Sequence, residues 1–139
     1  MVCTFFGHRD APDSIKRILE NTITDMLYKN NISMFYVGNN GNFDKMVQTV
    51  LSEISEQYPI NYCIVLSSLN EKISKEKLQK TMLPEGFEKT PPRLRICWRN
   101  EWMIKNSDIV ITYVTHPSSG ASKYKQLAEK QNKTIISLI

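Results

Sequence analysis

Short runs of apolar, largely β-branched residues recur along the chain, and the stretches between several of them return an apolar residue every three or four positions. This alternation of two periodicities constrains the fold more than any other feature of the sequence. "VCTFF" reads as a first strand, and "PDSIKRILENTITDMLYKN" places Ile15, Ile18, Leu19, Ile23, Met26 and Leu27 on one helical stripe. "MFYVG" is a second strand, and after "NNGN" a second helix is expected, with Phe43, Met46, Val47, Val50, Leu51 and Ile54 on its apolar face. "NYCIVL", "IVITYV" and "TIISLI" supply the third, fourth and fifth strands, with "ASKYKQLAEKQNK" as the helix between the last two. The strands are almost continuously apolar, as strands covered on both faces are. The pattern therefore predicts an α/β three-layer sandwich, a mostly parallel sheet of about five strands with helices on both sides.

The 139 residues suit a single domain spanning residues 1–139, and no Gly/Ser, Pro or single-sign tract marks a linker. The longest apolar stretch, around "DIVITYV", is too short to cross a bilayer, and "TFFGHRD" interrupts any signal-peptide pattern. A cytoplasmic protein without a membrane partner is expected. Cys3, Cys63 and Cys97 are odd in number and set among apolar residues, which fits reduced thiols better than a disulfide framework. A net charge of +4 suggests an anionic partner, but so mild an excess argues little for nucleic acid.

In an open parallel sheet, ligands bind beyond the carboxyl ends of the strands where strand order reverses. Every unusual loop follows a strand: "GHRD", "GNNGNFD", "SSLN" and "THPSSG". Gly7, Gly38, Ser67 and Thr115 are thus expected along one edge, with Thr115 among the ligand-facing positions. Gly7 permits close backbone approach, and His8 and Arg9 leave the strand where charge can meet a ligand; the alternatives are an Arg9–Asp10 surface pair and a His8 hydrogen bond that pins the loop. Gly38 and Gly41 allow the turn into the second helix, whose first amides are potential anion donors. Ser118 and Ser119 can cap the last helix while Ser119, Gly120 and Ala121 offer N–H groups to a phosphate, although Ser-Ser-Gly is also a common plain cap. Residues 67–92 form a long excursion, a possible lid over the site or a plain surface segment; within it "NEKISKEKLQK" could be a short exposed helix.

"PPRLRICWRNEWMIKNSD" is expected to form a helix from near Pro92 that is apolar around most of its circumference through Leu94, Ile96, Cys97, Trp98, Trp102, Met103 and Ile104. Arg95 and Arg99 share its narrow polar gap with Asn106. Two arginines one turn apart repel unless an anion lies between them. A phosphate-bearing ligand is one such anion, and an internal carboxylate such as Asp44 or Glu101 is the other. Two histidines, no paired-Cys spacing and no H-E-x-x-H make a metal site improbable, and neither a P-loop nor a complete dinucleotide fingerprint occurs. No cofactor is expected. Asp44 could accept ribose hydroxyls or act as an acid/base, or simply complement the helix dipole.

Four blocks in order, "CTFFGHRD", "MFYVGNNGNFDKMV", "TMLPEGFEKTPPR" and "WRNEWMIKNSDIVITYVTH", resemble the small bacterial and phage proteins of the SLOG superfamily, near its YpsA-like branch. The similarity runs over nearly the whole chain. It implies a Rossmann-like fold and binding of nucleotides or nucleotide-derived signalling ligands; relatives include the Lonely Guy phosphoribohydrolases, ligand-sensing domains of Thoeris effectors, and DprA, which binds single-stranded DNA. By that resemblance the ligand-facing positions are Gly7, His8, Arg9, Gly38, Asn39, Gly41, Asp44, Ser118, Ser119 and Gly120. Lonely Guy enzymes carry Pro-Gly-Gly-x-Gly-Thr-x-x-Glu, whereas this chain has "HPSSGASKYKQLAE", with no acidic residue before Glu129. The expectation is a sensor, carrier or sequestering protein that binds a phosphate-bearing nucleotide derivative. The alternatives are an N-glycosidic hydrolase with Asp44 as acid/base and, third, a single-stranded nucleic acid binder; a homo-oligomer is possible.

Overall fold

The computed structural model describes residues 1–69 and 71–139. Its strands are β1 (Val2–Gly7), β2 (Met34–Val37), β3 (Tyr62–Val65), β4 (Thr81–Met82), β5 (Ile109–Tyr113) and β6 (Thr134–Ser137). Its α-helices are α1 (Lys16–Lys29), α2 (Asn42–Ser55), α3 (Arg95–Lys105) and α4 (Gly120–Lys130). The strands form one six-stranded sheet in the order β4-β3-β2-β1-β5-β6, and every neighbouring pair is parallel. The fold is Rossmann-like. Strand order reverses at β1, which pairs with β2 on one side and, from Cys3 opposite Ile109 to Gly7 opposite Tyr113, with β5 on the other.

Successive strand residues point to opposite faces, so each continuous apolar run serves two cores. Phe5, Ile109 and Ile111 pack with Leu19 and Ile23 of α1 and with Phe43, Val47 and Leu51 of α2. Their chain neighbours Phe6 and Val110 pack on the other face, with Met103 and Ile104 of α3 and Tyr124 and Ala128 of α4. The expected α2 stripe is buried throughout; in α1 the stripe narrows to Leu19, Ile23 and Met26, and Ile18 is exposed. No helix among the described residues is long and apolar enough to cross a membrane. Cys3, Cys63 and Cys97 are free, and burial raises the Cys3 thiol pKa far above its ordinary value.

The five expected strands are joined by a short sixth, because Thr81 and Met82 of the excursion pair with Ile64 and Val65 of β3. Two expectations are corrected. The stretch "NEKISKEKLQK" forms no α-helix among the described residues; its last turn, Leu78–Lys80, is 3-10 and leads straight into β4, while its first residue, Asn70, lies outside the described residues. The segment after Pro92 begins with a 3-10 turn, Pro92–Leu94, and α3 buries Arg99, Asn100, Met103 and Ile104 while Leu94 and Ile96 stay exposed. Only the side of α3 against the sheet and α4 is dry, so the apolar residues at its start lie in water.

What approaches Gly7 at the end of β1 is the protein's own core: a β-carbon there would sit 2.4 Å from the buried ring of Phe43. Gly7→Ala therefore requires the ring to move within a packed interior. A loss of about 1–3 kcal/mol is expected, read as a lower denaturant midpoint at unchanged slope.

Candidate functional site

Because all strands run the same way, the loops after β1, β2, β3 and β5 emerge along one edge of the sheet, as the positions of Gly7, Gly38, Ser67 and Thr115 require. A cleft of about 520 Å³ opens there, lined by β1 and its loop, the start of α2, the flank of α3 and the first turns of α4. It lies where the strand order reverses, between β1 and β5.

The loops after β1 and β2 are latched together. Gly41 has φ +89°, a left-handed conformation that favours glycine, and its missing side chain leaves room for Arg9, whose Cα would lie 2.6 Å from a β-carbon. Asn42 donates its backbone N–H to the Arg9 carbonyl at 2.7 Å, and its side chain donates to the Ala11 carbonyl at 2.6 Å. The start of α2, expected to offer free amides to an anion, is thus partly satisfied by the chain itself. Above this latch the exposed Arg9 side chain lines the cleft beside Asp10.

His8 is buried, and its Nε2 lies 2.8 Å from the backbone N–H of Thr115. That N–H can only donate, so Nε2 is the acceptor and the ring is neutral with its proton on Nδ1. Burial lowers its pKa, the neighbouring His116 lowers it further, and Asp10 opposes both. His8 therefore pins the loop after β5 to the end of β1 while one side of it still lines the cleft. Thr115 serves this bond rather than the cleft surface.

The rear wall centres on Arg99, which is 1% exposed. Its Nε donates to Asn100 Oδ1 at 2.8 Å, Nη1 to the Val65 carbonyl at 2.9 Å and Nη2 to Asn40 Oδ1. Asp44 stands beside it: a β-carbon on Gly38 would fall 2.8 Å from Asp44 Oδ2 and 3.3 Å from the Arg99 guanidinium carbon. Asp44 Oδ2 accepts from the Asn40 N–H at 2.8 Å. Burial pushes the Asp44 carboxyl up to about 6, against the pull of that hydrogen bond, Arg99 and Arg9. The structure does not bring Arg95 to this place. Arg95 stacks on Phe87, 4.2 Å from the ring centroid, and donates from Nε to the Thr90 carbonyl at 3.0 Å. A single anion shared by the two arginines does not fit this geometry.

On the opposite wall Ser119 caps α4, its Oγ accepting from the Ser122 N–H at 3.1 Å. Gly120 and Ala121 follow in the first turn, where N–H groups have no intrahelical acceptor, and both line the cleft with Lys123. Ser118 is exposed and lies outside the lining, as do Gly38, Asn39 and Gly41, which sit behind it. Asn39 Oδ1 accepts from Gln48 Nε2 at 2.9 Å, a supporting bond. None of the described residues of the 67–92 excursion lines the cleft, so its lid role has no support in the geometry. Among the described residues there is no cluster of three or more metal-ligating side chains.

With this topology the chain is similar to DNA processing protein A (DprA) from Streptococcus pneumoniae, with a TM-score of 0.72 over 97% of this chain and 13% identity. The fold is DprA-like. The chain spans 49% of that protein's length. No family model and no curated protein matches the sequence.

Several residues of the cleft escaped the sequence reading. Asn40 and Asn100 serve Arg99, and burial, together with the bond its O–H makes to Cys97, pushes the Tyr124 hydroxyl up to about 12 against a hydrogen bond with Asn100. His116, Lys123 and Tyr124 did carry a signal: His116 adjoins Thr115, and Lys123 and Tyr124 lie one helical turn beyond the Ser119–Gly120 cap.

Two outcomes follow from the rear wall. Arg99→Ala takes from the Val65 carbonyl its guanidinium donor and from Asp44 the stronger of its two cationic partners, so it should destabilise the fold by about 3–5 kcal/mol, seen in chemical denaturation. Asp44 has a folded pKa above its ordinary 3.8, so its contribution to stability is fully present below that value and lost as pH rises through about 6. Asp44→Asn removes this dependence, and its melting temperature relative to the parent should rise between about pH 4 and about pH 7.5.

Proposed function

We propose that the cleft binds a phosphate-bearing nucleotide or nucleotide-derived signalling ligand, and that the protein acts in the cytoplasm as a sensor, carrier or sequestering protein. The observation that carries this reading is the first turn of α4. The amides of Gly120 and Ala121 open onto a cleft of about 520 Å³, with Lys123 one turn along and Arg9 on the facing loop. Free first-turn amides and the helix dipole favour an anion, and two cations that reach the same space add charge-assisted hydrogen bonds. Ile96, Met103 and Tyr124 offer apolar and aromatic surface for the remainder of such a ligand. His8 and Gly7 shape the floor, and Arg99 and Asp44 hold the rear wall.

A second reading, N-glycosidic hydrolysis, draws on Asp44. A carboxyl pushed up to about 6 at the cleft wall is suited to proton transfer near neutral pH. The α4 loop supplies no acidic partner before Glu129, which favours binding without turnover. Nucleic acid binding ranks third; the solved neighbour is a DNA processing protein, and this chain shares its fold.

Calorimetric titration with nucleoside monophosphates and the matching nucleosides tests the main reading. Nucleotides are expected to bind and nucleosides to bind far more weakly, and Lys123→Ala should cost roughly tenfold in affinity for the nucleotide alone. Equal affinity for nucleotide and nucleoside would overturn the phosphate assignment. Free base released by the parent but not by Asp44→Asn would replace binding with hydrolysis, and oligonucleotide binding that weakens steeply with salt would favour the third reading.

A further inference from the structure

The face of α3 turned away from the nucleotide cleft forms a second depression of about 580 Å³, bounded by α4 and the loop that carries Glu85. Its residues include Trp98 and Trp102, one helical turn apart, with Leu127 from α4. Both indoles are half-buried. Trp102 meets Tyr36 edge-on with ring centroids 5.0 Å apart, and Trp98 lies over Gly86, where a β-carbon would come within 3.3 Å of its ring. Around these aromatic surfaces stand the exposed carboxylates of Glu85 and Glu101, with Lys105 as the groove's basic residue. Among the described residues the sole ion pair is Lys16–Glu53, so neither Glu85 nor Glu101 has a cation within pairing distance.

We propose that this groove docks a basic peptide segment of a partner protein, with an Arg or Lys side chain seated over the indoles of Trp98 and Trp102 and paired with Glu85 and Glu101. Charge complementarity selects this occupant. The chain carries a net +4, yet here two acids face one lysine around a tryptophan floor. An indole face attracts a guanidinium or ammonium through its quadrupole, and a neighbouring carboxylate adds to that attraction. A phosphate backbone would meet two carboxylates, and an uncharged apolar helix would take the waters from Glu101 and Lys105 without replacing them. The groove and the nucleotide cleft lie on different faces of α3, so one ligand does not occupy the space of the other.

Both tryptophans of the chain line this groove, so intrinsic fluorescence reports on it directly. Titration with an acetylated, amidated hexa-arginine peptide is expected to change the emission saturably, and capped hexa-glutamate to leave it unchanged. Combined Glu85→Gln and Glu101→Gln substitution should weaken the peptide by about fivefold or more, with circular dichroism showing the fold intact. Lys105→Gln removes the opposing charge and should tighten it. A double variant that binds hexa-arginine as tightly as the parent overturns the proposal, as does the lack of any saturable change. A saturable response to single-stranded oligothymidylate instead of the peptide overturns it too, and makes the groove a base-stacking surface.

Discussion

The architecture of the cleft depends on one buried guanidinium. Arg99 sits on α3, yet its hydrogen bonds reach the last residue of β3 and the loop between β2 and α2. Withdrawing a guanidinium from water is costly, and it is tolerated where hydrogen bonds and compensating charge meet it. Here each guanidinium nitrogen has an oxygen acceptor, and Asp44 and Glu71 supply the negative field. Gly38 is the steric condition for this arrangement, since any side chain there would enter the space shared by the Asp44 carboxylate and the guanidinium. One ionic group thus fixes where β2, β3, α2 and α3 stand relative to one another at the ligand-facing edge.

The remaining polar contacts complete the frame around it. The Arg9–Gly41–Asn42 latch joins the loops after β1 and β2, and the His8–Thr115 bond joins the loops after β1 and β5. Gln48, buried in α2, donates to the Gly38 carbonyl and to Asn39 Oδ1 and accepts from Lys77, which ties the excursion to the same loop. Residues that a sequence motif would assign to ligand contact here do two jobs, and several of them spend their hydrogen bonds on one another. Among the described residues, the cations that line the cleft beside the first turn of α4 are Arg9, Arg99 and Lys123; Arg99 spends its donors within the wall, and Lys123 Nζ lies 5.4 Å from the Tyr124 ring centroid.

The fold was legible because its signals are local. Parallel strands buried on both faces leave uninterrupted apolar runs, and α2 shows its stripe because all six of its expected core residues face one sheet. Two-residue β4 left no trace in the pattern, since a pair of residues has no period and the run "KTMLPEG" reads as turn. In the site, the strand-end loops were placed by topology alone. The roles within them were harder. Arg95 and Arg99 share one helix face by spacing, but one turns to Phe87 and the other inward, and only the long-range contacts with Thr90, Val65 and Asn40 make that distinction. Gln48 and Glu71 carry no local sequence signal, and only the packed structure makes them supports for the rear wall.

The ends of the sheet carry a consequence of their own. A parallel sheet leaves a row of unpaired backbone groups at each margin, a template on which another chain can add a strand. On one side that margin is β4, only two residues long and preceded at once by a 3-10 turn carrying Lys80. Two residues offer too little backbone for a stable intermolecular ladder, and the adjoining lysine discourages approach by another copy of this basic chain. The two residues of β4 therefore cover the Ile64–Val65 end of β3, whose run "YCIV" would otherwise be a longer exposed, strongly β-forming edge, and so guard this margin against aggregation.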